Sequence, residues 1–211
     1  MRTVLFLGLL LAFLMAPASQ AAAAPTGAPA KVSASAFHDA MRKLWEEHVV
    51  WTRLYIVSFA AGLPDQGPTA ARLLQNQTDI GNAIMPFYGS AAGTKLTALL
   101  KAHILGAVAI LKAAKAGNTA QLKTATAAWF ANGDQIASFL SAANPANWPL
   151  NAVKAQMHMH LNLTIAEATA RLKGNYPAGI AAYDQVENHI LGLADILSSG
   201  IIRQFPSKFT H

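Results

Sequence analysis

Apolar positions recur along this chain at the three- and four-residue spacing of an α-helix, and strict alternation over the length of a strand is absent. A first helix is expected over residues 35–61, where Leu44, His48, Trp51, Thr52 and Tyr55 share one face. The Gly/Pro-rich link 62–68 ends it. A second helix covers 69–84, with Leu73, Asn76, Ile80 and Ala83 on one side and Pro86 and Gly89 closing it. The third spans 92–116 with Leu96, Leu99, His103, Gly106 and Ile110 in phase, and Gly117-Asn118 is its stop signal. The fourth spans 119–143 through Leu122, Trp129, Ile136 and Leu140, before the break at 144–149. Helices over 150–173 and 178–202 complete the set, and the tail is expected to lay Phe205 and Phe209 against the bundle.

Polar residues inside this apolar pattern repeat. His48 and His103 are 55 residues apart, as are Asp79 and Asp134, and Asp134 and His189. Gly117 to Gly174 and His103 to His160 are both 57 residues, so the turn glycines favour His160 over His158, which lies 55 from His103. The expected fold is an all-α, six-helix bundle built from three pseudo-repeated antiparallel helical hairpins, closed about one axis rather than stacked as an open solenoid.

Composition places this domain. Arg2, an apolar run from Val4 to Met15 and small residues through Ala24 read as a signal peptide over 1–24, followed by a flexible lead-in at 25–34 and one domain at 35–211. Export to a periplasmic or secreted location follows, with no transmembrane segment after signal removal. The chain has no cysteine, so thiolate ligands and disulfides are excluded. The formal charge of +6 comes from scattered lysines and arginines without interleaved aromatics, which argues against nucleic acid as a partner.

Each expected hairpin offers a histidine on its first helix and an aspartate or histidine about 30 residues later: His48 with Asp79, His103 with Asp134, His160 with His189. Glu167 lies seven residues past His160 on the same helical face. Convergence of these seven groups would suit a divalent transition metal, Zn, Fe or Mn, or a small-molecule ligand; Met157-His158-Met159-His160 is a weaker argument for Cu. The plainer alternative is a non-catalytic envelope or stress-associated interaction protein whose His–Asp pairs set helix registry. A third class, an enzyme with a metal-activated water, needs an open coordination position. The chain lacks His-Glu-x-x-His, Gly-x-Ser-x-Gly, phosphate-loop and dinucleotide signatures, and Glu187 and His189 are too close for a Glu-x-x-His motif.

The stretches Trp45–Arg53, Leu63-Pro64-Asp65, Asn76–Ile84, Leu99–Ile104, Ser141–Pro145, His160–Thr164 and Gln204-Phe205-Pro206 resemble an exported bacterial all-helical family of undetermined function. Members are sometimes labelled glycosyltransferase or acetylglutamate kinase. The resemblance implies a shared helical fold and export, and it assigns no catalytic residue.

Overall fold

The computed structural model of the chain describes residues 31–210; the expected signal peptide and most of the lead-in lie outside them. Six α-helices occur among the described residues: α1 (Ala34–Ala61), α2 (Gln66–Tyr88), α3 (Ser90–Lys115), α4 (Thr119–Ala143), α5 (Leu150–Leu172) and α6 (Tyr176–Gln204). The protein is an all-α helical bundle. Each helix packs on its neighbours in the chain, and α6 returns to pack on α1, which closes the ring; α1 and α3 also meet α5 across the middle.

The odd-numbered helices end alike. Gly62, Gly117 and Gly174 have φ of +68°, +66° and +72°, a backbone region that costs glycine little. The residue after each donates its N–H to a carbonyl five residues back, Leu63 to Ser58, Asn118 to Ala113 and Asn175 to Ala170, at 2.9–3.0 Å. Three abrupt turns of one type therefore sit at one end of the bundle.

Helices α2 and α6 begin earlier than their prolines suggested. Pro68 and Pro177 fall in first turns, where the missing N–H would have had no intrahelical partner. Pro86 lies inside α2 rather than ending it. The turn that follows carries Phe87, whose ring packs on Phe37 at 5.0 Å and on Phe209 at 5.3 Å. The tail thus docks its aromatics, and Val32–Ser33, expected in the flexible lead-in, pairs in parallel with Phe209–Thr210.

Two glycines set the α2–α3 approach. A Cβ on Gly81 would lie 2.6 Å from the Gly93 carbonyl oxygen, and one on Gly93 would lie 2.6 Å from that of Gly81. Helix α3 is long and apolar enough to cross a bilayer by length and composition alone. Here it packs between α2 and α4, with Leu96, Leu100, His103 and Ile104 buried.

Candidate metal centre

His48 on α1, His103 on α3 and His160 on α5 are 2%, 2% and 4% exposed, and each offers one ring nitrogen within 4.8 Å of the others. Their ring centroids are 5.7–6.3 Å apart. They meet because each sits on the inward face of an odd-numbered helix, with buried Trp45, Leu100 and Met157 three residues before them. Gly106 is part of the same design: a Cβ there would lie 2.6 Å from Trp129 Cδ1, so its absence admits the indole that stacks on His103 at 5.0 Å.

Even-numbered helices tie each histidine turn down. Asn76 Nδ2 donates to the Leu44 carbonyl at 3.0 Å, Asn132 Nδ2 to the Leu99 carbonyl at 3.2 Å, and His189 Nε2 to the Gln156 carbonyl at 3.0 Å. All three acceptors lie four residues before a cluster histidine. The histidine carbonyls are also engaged: Thr52 Oγ1 donates to His48 at 2.7 Å, Trp129 Nε1 to His103 at 2.8 Å and Thr164 Oγ1 to His160 at 2.9 Å. The backbone around every imidazole is held twice, which limits how far the rings can drift.

One tautomer is assigned by its partner. Asn132 uses its amide N–H on Leu99, so its Oδ1 faces His103 Nδ1 as an acceptor at 3.0 Å. His103 Nδ1 therefore carries the proton, and Nε2 keeps its lone pair. His160 Nδ1 is buried with no hydrogen-bond partner; His48 Nδ1 and Gln77 Oε1 are also buried without a well-formed hydrogen bond, although the Gln77 amide lies close enough to His48 to act on it weakly.

Burial holds the rings neutral. His48 is pushed down to about 3, first by desolvation and then by His103, with the nearby Gln77 amide offsetting a little. His103 is pushed down to about 4 by desolvation against the opposing Asn132 bond. His160 falls well below the usual imidazole range, through desolvation and then through His48, His103 and His189. At neutral pH this centre presents imidazole lone pairs without positive charge, the protonation state a metal requires.

The other expected site residues stand elsewhere. His189 stacks on His160 at 6.3 Å but is outside the three-nitrogen group, and its Nε2 is committed to Gln156. Asp79 takes a hydrogen bond from Gln75 at 2.9 Å and lies 3.7 Å from Arg72. Asp134 pairs with His158 at 3.0 Å and Lys154 at 3.4 Å, about two-fifths exposed. Glu167 is buried, but Arg53 NH1 donates to it at 2.9 Å and also to the Gly179 carbonyl at 3.2 Å. Burial raises that carboxyl to about 7 even against the guanidinium.

Equal spacing misplaced the aspartates because helix phase decides direction. The side chains that face the histidine turns are Asn76, Asn132 and His189, each 28 or 29 residues after its histidine. Asp79 is three residues past Asn76 and Asp134 two past Asn132, rotations of about 300° and 200° around a helix. Asn76 already stood on the apolar face read for the second helix. An amide amid leucines and isoleucines was the available signal.

Compared with protein-family models, with curated proteins and with solved structures, the chain matches none.

Proposed function

We propose that this protein binds a divalent transition metal ion through His48, His103 and His160, in an exported bundle built by triplication of one helical hairpin. The orphaned ring nitrogens of His48 and His160 are the observation that carries the reading. A buried polar atom without a partner costs about 1–3 kcal/mol, and a cation shared among three neutral rings would relieve that cost. Support for triplication comes from the recurring side-chain bond to the carbonyl four residues before each histidine.

The ligand set favours zinc among the candidate ions. No carboxylate joins the three-nitrogen group among the described residues, whereas non-haem iron sites of the facial-triad kind use one and manganese prefers oxygen donors. Tetrahedral zinc with Zn–N near 2.0–2.1 Å needs nitrogens about 3.3 Å apart, so the widest pair would draw together on binding. A fourth coordination position then remains for water or an anionic ligand, which would offset the ion's charge in this buried setting.

Elemental analysis of tag-free protein, with melting curves in EDTA and after zinc addition, tests the proposal. One equivalent of ion and a midpoint that climbs with zinc are expected. Substoichiometric metal and a midpoint indifferent to Zn, Fe, Mn and Cu would leave the polar cluster as a registry device. That second reading has its own support, because the side-chain bonds to the histidine turns join neighbouring helices.

A further inference from the structure

Beyond the histidines, one to three turns toward the Gly62, Gly117 and Gly174 end, lies a cavity of about 170 Å³ lined by α1, α3, α4 and α5 with Leu73 of α2. Its walls include Tyr55, Ile104, Leu111, Trp129, Ile165 and Ala168. Polar groups nearest the imidazoles are already used. Thr52 and Thr164 also border the space, yet their hydroxyls are spent on the carbonyls of His48 and His160, and the Trp129 N–H on that of His103. What they present inward is methyl and ring surface. A water needs two to four polar partners; the remaining hydroxyls on these walls are those of Tyr55, Thr126 and Thr169, and the rest of the lining is apolar.

A second, outer space of about 500 Å³ shares Ala114, Leu122, Thr169 and Leu172 with the first and reaches Lys115 and Lys173 at the helix ends. The two spaces therefore lie on either side of a shared wall. Lys115 Nζ is taken up by the Phe59 and Ala60 carbonyls at 2.8 and 3.3 Å, so this lysine closes the end of α1 rather than offering a free charge to a ligand.

We infer that the cavity is a binding site for a small neutral apolar molecule, a single aromatic ring or a short alkyl chain. Size and lining both lead there. A dry, hydrocarbon-lined cavity of roughly 150 Å³ is known to accept benzene, and this one is of the same order with walls of the same kind. None of the three histidines lines it, although Thr52, Trp129 and Thr164 belong to both surroundings.

Toluene is the probe, titrated into tag-free, EDTA-treated protein and followed by methyl NMR and by melting. Saturable shifts confined to methyls of the cavity lining, Ile104, Val108, Leu111 and Ile165 among them, with a midpoint that rises with toluene, are expected. Filling the space with Ala107→Leu or, separately, Ala114→Leu should weaken binding at least tenfold while metal uptake measured in parallel stays at the wild-type level. Absence of saturable shifts up to the aqueous solubility of toluene would overturn the inference, as would undiminished affinity in a folded filling variant. Absence of metal uptake in the wild-type protein, with toluene binding retained, would overturn the histidine reading while supporting the cavity site.

Discussion

Two buried polar regions of this bundle solve the same problem differently. At the link between α4 and α5, Asn144 Nδ2 donates to the Gly200 carbonyl at 3.0 Å, Asn147 Nδ2 donates to Asn144 Oδ1 at 2.8 Å, and Trp148 Nε1 reaches the Ile196 carbonyl at 3.2 Å. Trp148 N donates to the Asn144 carbonyl at 2.8 Å, and Arg203 Nε donates to Asn147 Oδ1 at 2.7 Å. Side-chain donors and acceptors there serve one another, and the outcome is a rigid corner. Among the imidazoles, by contrast, His48 Nδ1, His160 Nδ1 and Gln77 Oε1 are left over. A satisfied buried network contributes stability, whereas leftover groups carry a desolvation cost, which is what the proposed ion would relieve.

Acid should separate the two regions most strongly. The cluster imidazoles have folded-state values far below the ordinary unfolded value of about 6.5, His48 at about 3 and His103 at about 4. Below pH 6.5 the unfolded chain therefore takes up protons that the native centre refuses. The stabilisation is full above about pH 6.5 and drains away as pH falls toward 4 and 3, at about 1.4 kcal/mol per unit per group. Glu167 acts oppositely: raised to about 7, it contributes most below its unfolded value near 4.5 and loses that contribution as pH rises through 7. Three imidazoles against one carboxyl leave acid destabilisation dominant, on the order of several kcal/mol by urea unfolding between pH 7 and 4. A metal-free protein equally stable at both values would break the account of the centre.

His103→Gln comes next. It should abolish the ion-dependent part of stability, about 2.7 kcal/mol at a free zinc concentration 100 times Kd, visible as superposed melting curves with and without zinc. Asn144→Ala should remove about 2 kcal/mol by orphaning the Gly200 carbonyl and the Asn147 amide, equally with and without zinc. If that loss depended on zinc, the two regions would be coupled and the contrast would fail. Smallest of all, Asp79→Asn and Asp134→Asn should leave bound metal unchanged by elemental analysis, since both carboxylates are partly exposed and engaged elsewhere.

Local chemistry was the legible part of this chain. The helical period and the glycine stops at 62, 117 and 174 could be read from the sequence; spacing left His158 and His160 both open, and in the structure His160 is buried while His158 pairs with Asp134. Pro68, Pro86 and Pro177 misled because a proline's effect depends on its place within a helix, and that place is set by where the turn begins. The aspartates misled for a related reason: a repeat found by arithmetic carries no information about helix rotation.

By itself, then, the sequence determined six helical stretches, the glycine stops at 62, 117 and 174 and the inward faces that carry His48 and His103, because propensity and periodicity act within a few residues. Only the tertiary structure decided that Asn76, Asn132 and His189, rather than the aspartates, face those histidines, and that some ring nitrogens lack partners while the Asn144 corner leaves few idle. Rotation and closure of helices around a shared interior are settled by packing between residues far apart in the chain, where a shift of two positions turns a side chain from the centre to the solvent.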